Sequence, residues 1–176
     1  HTFDNASMVE TFEGQRWTVL TARDFAPSLP IAVGPVTLKP RSRAAAEPGE
    51  LPPSVDPRQA SLFGAAWTLG SLAALAGAGV HSITYYETTG WLGVMEAEQG
   101  SPQPERFPSR PGCVFPLYHV FDALGEYAGG EVFPVVASDP LAVAGLLMRK
   151  AGKLRALVAN LTDASQEVAV TGLPDF

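Results

Sequence analysis

The sequence is poor in the features that mark several large classes of protein. It has one cysteine, Cys113, so no disulfide can form within the chain. No apolar run approaches the roughly 18 residues that a membrane-spanning helix needs. The longest basic cluster is Arg-Ser-Arg at 41 to 43, and the formal net charge is −6. We therefore expect a cytoplasmic protein whose partners include neither nucleic acid nor a membrane surface.

Short motifs of metal, nucleotide and nucleophile sites are also missing. The chain contains no HExxH, CxxC, Walker loop, GxSxG or GxGxxG pattern. Cys113 has no base beside it in the sequence, which favours a loop residue over a nucleophile. We therefore expect neither a metal nor a cofactor. Apolar residues make up 46% and charged residues 17%, which is typical of a protein with a sizeable core.

Strand and helix patterns alternate along the first three quarters of the chain. The patterns predict helices over 6 to 23, from Asp56-Pro57 to about Gly79, and over 116 to 128, with strands over 29 to 40 and 82 to 87. This order indicates parallel strands joined by crossover helices. The loops that follow the strands, 41 to 55 and 88 to 115, are long, as on the catalytic face of a β/α barrel. We expect both strand tips to point the same way, with the two loops adjacent.

The pattern changes at Glu131. Residues 131 to 173 form short runs with a period near two, and Ala151-Gly152 suits a hairpin turn. These runs predict four antiparallel strands of a small β-sandwich, rather than a helix across 141 to 150. The predicted fold is α/β: the C-terminal part of a (β/α)8 TIM-type barrel at 1 to 130, followed by β-sandwich strands at 131 to 176.

Glu87 is the first candidate for catalysis, because it would end the strand 82 to 87 at the barrel rim. Strand periodicity places Tyr85 and Glu87 on one face and Tyr86 on the other. Tyr86 and Trp91 could wall a ring-shaped ligand, beside which Glu87 would act as a general acid or base. Alternatively, Glu87 is a solvated charge or the partner of a nearby arginine, and the aromatic side chains are ordinary core.

His1 and Asp4 are a second candidate. If His1 ends the preceding strand, the two side chains could form a histidine–carboxylate general base at the same rim. The alternative is a chain terminus without catalytic meaning. Lys39 and Arg41 follow the strand 29 to 40, where they could bind a substrate or stabilise an oxyanion, or be ordinary surface cations.

Several segments resemble the C-terminal half of bacterial D-apionate lactonases. They are VGPVTLKPR, GELPPSVDPRQASLFGAAWTLGSL, GVHSITYYETTGW, FPLYHVF and GEYAGGEV. That family opens D-apionolactone to D-apionate in branched-pentose catabolism. The resemblance implies a hydrolase whose partner is a small sugar lactone. It also implies a larger protein, whose N-terminal domain and early barrel strands precede residue 1, and without which this chain would be inactive.

The layout is also similar to that of retaining glycoside hydrolases, which pair a barrel with a β-sandwich. Those enzymes keep a nucleophilic glutamate near the end of strand seven. If 29 to 40 is that strand, its tip carries Pro35, Thr37 and Lys39 but no carboxylate. This difference favours a lactonase. A glycoside-hydrolase-like enzyme and a non-catalytic carbohydrate-binding portion of a larger barrel protein are the alternatives.

Overall fold

The computed structural model describes residues 4 to 173 as helices joined by short strands and long loops. Within that range the α-helices are α1 Asn5–Phe25, α2 Leu62–Gly77 and α3 Pro116–Glu126, and a short 3-10 helix covers Pro57–Ala60. The strands are β1 Ala32–Val33, β2 Ser82–Ile83, β3 Glu87–Thr89, β4 Gly93–Met95, β5 Glu131–Phe133, β6 Val143–Lys150 and β7 Lys153–Asn160. No helix in this part of the chain is both long and apolar enough to cross a membrane.

Side-chain caps explain where α1, the 3-10 helix and α2 begin. Asp4 accepts a hydrogen bond of 2.7 Å from the Ser7 backbone N–H and so starts α1. Asp56 caps the 3-10 helix in the same way, with a proline at the first position. Ser61 then caps α2. The helix predicted to run from Asp56 is therefore two elements, because a second capping residue follows one turn after the first.

β1 and β2 are parallel, as the sequence predicted. Val33 pairs with Ile83, and backbone bonds of 2.9 Å from Thr84 N–H to the Val33 carbonyl and from Val36 N–H to the Thr84 carbonyl extend the pairing. Gly34 permits this approach, since a Cβ there would lie 2.8 Å from the Thr84 Cβ. The mixed helix and parallel strand content fits the α/β class, but among residues 4 to 173 no sheet closes into a barrel.

The prediction of one continuous strand over 82 to 87 is wrong. β2 ends at Ile83, and Glu87 begins β3, which pairs in parallel with β4 through Glu87 and Gly93. The chain turns tightly between these strands, with Gly93 N–H bonded to the Gly90 carbonyl at 2.8 Å. Glu87 is therefore held in a separate two-stranded sheet, β3-β4, at the start of the second long loop.

The two long loops are adjacent, as predicted. The Gln103 side-chain N–H donates to the Glu50 carbonyl at 3.3 Å, which joins loop 88 to 115 to loop 41 to 55. Beneath this contact the loops share a buried apolar cluster that includes Val55 and Phe107. Buried side chains of this size each stabilise the fold by about 1.5–3 kcal/mol. Apolar packing thus fixes the position of loops that have little regular structure.

Residues 131 to 160 form a three-stranded antiparallel sheet in the order β5-β6-β7. Ala151 and Gly152 make the predicted hairpin turn, with φ of 50° and 74°. The prediction of four strands was wrong by one: residues 161 to 173 form no strand, although Val168 and Val170 alternate with smaller residues. A second sandwich sheet is absent from this described stretch, so those valines stay half exposed.

The sheet packs on α2 rather than standing apart. One buried cluster joins α1, α2 and the sheet, and consists of Val9, Ala66, Leu69, Leu146, Met148, Ala159 and Leu161. The predicted domain boundary at residue 130 stays a prediction.

Candidate functional site

A cavity of about 450 Å³ lies between the two long loops, and residues of β3 are among those that line it. Ser54 and Val55 contribute from the first loop, Trp91 and Glu96 contribute from the second, and Glu87 contributes from the start of β3. The cavity therefore lies where the strand-following loops meet, and the prediction of a functional site there stays a prediction.

A larger cleft of about 620 Å³ runs along β6 and β7 beside residues 134 to 139 and 166 to 173. It is bounded mainly by alanines, valines and leucines, and none of the predicted site residues lines it. We take the smaller cavity as the candidate site, because two glutamates and a tryptophan are among the residues that line it.

Glu87 lies at this cavity with a cation beside it. Its Oε1 is 3.4 Å from the Arg41 Nη1, and each of the two side chains is 48% exposed. An ion pair as open to solvent as this stabilises the fold by about 1 kcal/mol or less. Two predicted residues are thus brought together, and the Glu87 carboxylate stays accessible to a ligand.

Trp91 forms one wall of the cavity, and its indole is fixed on two sides. The indole N–H donates to the Ser101 Oγ at 2.9 Å. Its ring packs near the buried Phe107, with 6.3 Å between ring centroids. The indole can therefore offer a preset apolar surface to a ring-shaped ligand.

Tyr86 does not line this cavity. Its Oη lies 2.8 Å from the Thr68 Oγ1 on α2, and its ring packs against Phe121 on α3. Burial is the main reason that the pKa of Tyr86 is raised well above its usual value. Tyr85 also reaches α2, with its Oη 2.8 Å from the Ser71 Oγ. The prediction that Tyr85 and Tyr86 occupy opposite faces is wrong, because the regular strand ends at Ile83.

Lys39 lies at the base of the first loop. Its ammonium group donates to the Val55 carbonyl at 3.0 Å. Its charge also lowers the pKa of the neighbouring Asp56. Burial by itself would raise that pKa, but the hydrogen bonds from Arg58 outweigh it, together with the two positive charges. Lys39 does not line the cavity of Glu87, and its role in substrate binding stays a prediction.

The candidate pair of His1 and Asp4 is only partly described, since His1 lies outside residues 4 to 173. Asp4 is exposed at the start of α1, and the Ser7 backbone N–H is the main cause of its lowered pKa, with a smaller effect from the charge of Arg58. Its described contacts are those of a helix cap, and its catalytic role stays a prediction.

Glu96 is a site residue that the sequence analysis missed. The residue is among those that line the cavity, yet it is only 1% exposed. Oε1 accepts a bond of 2.8 Å from the Ala97 backbone N–H, and Oε2 accepts one from the Ser109 hydroxyl. The second of these partners, Ser109, lies 13 positions along the chain. No local pattern around Glu96 predicts such a contact.

Within the described residues, no group of three or more His, Cys, Asp or Glu side chains could hold a metal ion. Two glutamates and a tryptophan line the cavity, and the Arg41 guanidinium, whose residue is not among those lining it, lies 3.4 Å from the Glu87 carboxylate. A carboxylate beside bound water can accept a proton, and a guanidinium can stabilise an oxyanion.

Comparison with known proteins gives one match. A family model described as D-apionate lactonase, TIM barrel domain, matches residues 1–129. A search of curated proteins and a search of solved structures each found no match.

Proposed function

This chain belongs to the D-apionate lactonase family, in its TIM barrel domain, and from that premise we propose that it is part of an enzyme that hydrolyses a sugar lactone of the D-apionolactone type. The observation that carries the proposal is the cavity lined by Glu87 and Trp91, together with the Arg41 guanidinium that lies 3.4 Å from the Glu87 carboxylate. This arrangement supplies a base, a cation and an apolar wall to one small ligand.

The proposed reaction begins with Glu87 as general base. The carboxylate takes a proton from a water molecule while the water oxygen bonds to the ring carbonyl carbon of the lactone. The carbonyl oxygen then becomes an oxyanion, to which Arg41 donates hydrogen bonds. When the intermediate collapses, the bond from the carbonyl carbon to the ring oxygen breaks, and that oxygen receives the proton from Glu87. The product is a hydroxy acid, which ionises to its carboxylate.

Two observations favour Glu87 over the pair of His1 and Asp4 as the base. Glu87 lies on a cavity wall and keeps half of its side chain exposed. Asp4 is occupied as a helix cap, and it is not among the residues that line this cavity. General base assistance by a well-placed carboxylate is worth about 10²–10⁴-fold in rate.

A glycoside-hydrolase-like reaction is a second candidate, because Glu87 and Glu96 line the same cavity and glycosidases act with two carboxyl groups. The two glutamates differ strongly in burial, with Glu96 at 1% exposure and Glu87 accessible. Assays of the full-length protein with a sugar lactone and with an aryl glycoside distinguish the two reactions. We expect only the lactone to be turned over.

The direct test is Glu87→Gln in the full-length protein, with Glu98→Gln as the matched control. Glu98 lies in the same loop, is exposed, and does not line the cavity. We expect Glu87→Gln to lower lactone hydrolysis by at least about a hundredfold with little change in Tm, and Glu98→Gln to change neither. Turnover by Glu87→Gln within a few-fold of wild type would exclude Glu87 as the base. If wild type binds the lactone but does not hydrolyse it, the chain is a carbohydrate-binding portion.

A further inference from the structure

We propose that Glu96 recognises the hydroxyl groups of the substrate, so that the cavity selects hydroxyl-bearing lactones over unsubstituted ones. This inference rests on the proposed lactone-hydrolysing function and adds the group that recognises the ligand. It follows from the burial, the partners and the surroundings of Glu96.

Burial of this carboxylate needs a reason. Glu96 is 1% exposed, and among residues 4 to 173 no lysine, arginine or histidine forms an ion pair with it. An unpaired buried carboxylate is costly unless it accepts several hydrogen bonds. The protein supplies two, from the Ala97 backbone N–H and the Ser109 hydroxyl. A carboxylate offers about four acceptor positions, and these two donors occupy two of them.

The segment from Glu96 to Cys113 does not need this carboxylate to bring its two ends together. Backbone bonds already join its two ends, from Gly112 N–H to the Ala97 carbonyl at 3.0 Å and from Glu96 N–H to the Cys113 carbonyl at 2.9 Å. A neutral side chain would leave both bonds intact. A purely structural role therefore does not explain why an acceptor-only group occupies this position.

The cavity around Glu96 suits a small polyol ring. Trp91 offers an apolar surface to the C–H face of such a ring, and Ser54 and Gln99 add polar groups to the walls. An ionised carboxylate only accepts hydrogen bonds, so it favours ligands that present hydroxyl donors. A site built to bond a hydroxyl strongly rejects the analogue that lacks it. The negative charges of Glu96 and Glu87 also disfavour the carboxylate product over the neutral lactone.

The kinetic test uses the full-length protein with two five-membered lactones. D-Erythronolactone carries two adjacent hydroxyls, and γ-butyrolactone carries none. We expect Glu96→Gln to raise KM for the hydroxylated lactone about tenfold or more, with kcat and the kinetics of γ-butyrolactone little changed. Ser109→Ala is the matched control, because it removes the protein hydroxyl that bonds Glu96 and keeps the carboxylate. It should affect both lactones equally. The inference is wrong if Glu96→Gln also affects both lactones equally.

A binding test separates this inference from the proposed function. 1,4-Anhydroerythritol keeps two ring hydroxyls but has no ester, and tetrahydrofuran lacks the hydroxyls. We expect the wild-type protein to bind the diol at least about tenfold more tightly, and Glu96→Gln, but not Ser109→Ala, to lose that preference. This result would support Glu96 even if no lactone were hydrolysed. Equal binding of the two ethers by wild type would overturn the inference even if lactones were hydrolysed. This comparison needs only the wild-type protein, so it decides the matter even if Glu96→Gln does not fold.

Discussion

The Arg41 Nη1 lies 3.4 Å from the Glu87 Oε1, which connects the first long loop to the start of β3. Both side chains are half exposed, so the pair contributes little to folding. The pair instead fixes a position: the Arg41 guanidinium is held beside the carboxylate of Glu87, and Glu87 lines the cavity between the loops. A cation in that place can meet an oxyanion that forms next to the base.

We therefore predict that Arg41→Gln affects catalysis and not stability. The rate constant kcat for lactone hydrolysis should fall by about a hundredfold, the typical cost of losing one oxyanion donor. The free energy of unfolding should change by less than about 1 kcal/mol. Arg43→Gln is the control, since Arg43 is exposed two positions further along the same loop. A stability loss in Arg41→Gln that matched its loss of activity would indicate a structural role.

Tyr86 and Trp91 make a second comparison, since the sequence placed both at the ligand. Tyr86→Phe removes the hydroxyl that bonds Thr68 and should lower the free energy of unfolding by about 1 kcal/mol, leaving KM unchanged. Trp91→Phe removes the indole N–H that bonds Ser101 and should raise KM, because the cavity wall loses its fixed position. Denaturation curves and steady-state kinetics on both variants check this. A raised KM in Tyr86→Phe without loss of stability would indicate that Tyr86 contacts the ligand.

The contrast between the two aromatic residues shows what the sequence could predict. Parallel strands, long adjacent loops and the Ala151-Gly152 hairpin follow from local signals such as strand propensity, glycine placement and proline content. The orientation of Tyr86 does not, because the regular strand ends at Ile83 and both tyrosines then bond to hydroxyls on α2. Strand periodicity holds only where the ladder continues.

The burial of Glu96 is a second feature that the sequence could not predict. In the sequence it is one charged residue in a loop rich in glycine and proline, and such residues are mostly solvated. It is buried only because the loop returns to bring Ser109 against the carboxylate and Cys113 against the Glu96 backbone. Contacts of this kind arise from tertiary closure, so no spacing rule in a single sequence reveals them. The sequence also raised a nearby arginine as a partner of Glu87, but only the folded structure identifies it as Arg41.

Asp56 gives a prediction for pH. Its side chain is 2% exposed, and its Oδ2 lies 2.7 Å from the Arg58 Nη2. Burial would raise the pKa of Asp56, but the bonds from Arg58 lower it below the ordinary 3.8. The folded pKa is thus below the unfolded one, so the stabilisation is fully present above about pH 4 and is lost as pH falls through the folded pKa.

Accordingly, Asp56→Asn should lower the free energy of unfolding at pH 7 by about 3 kcal/mol, as expected when a buried ion pair loses one partner. The difference from wild type should shrink as the pH falls below about 4, where wild type loses the same charge. Urea denaturation at several pH values between about 2 and 7 measures this. A difference that stayed constant over that range would show that the charge of Asp56 does not stabilise the fold.

The final prediction concerns Gly34, where β1 passes closest to the chain after β2. A Cβ at this position would lie 2.8 Å from the Thr84 Cβ and 3.0 Å from the Thr84 carbonyl oxygen. These are atoms of the backbone and of a branched side chain, so they cannot move aside cheaply. Gly34→Ala should therefore destabilise the protein by about 1–3 kcal/mol, the usual cost of overpacking. It should also lower activity, because Glu87 follows Thr84 by three residues.

Gly14→Ala is the matched control for this change. Gly14 is exposed within α1, and no heavy atom lies within 4 Å of a Cβ built there. Since glycine is a poor helix former, the added methyl group should stabilise the protein by about 0.5–1 kcal/mol. The same substitution is thus expected to act with opposite signs at the two positions, as read from denaturation midpoints at equal m-values. If Gly34→Ala were as stable as wild type, β1 and β2 would not pair as closely as the structure shows.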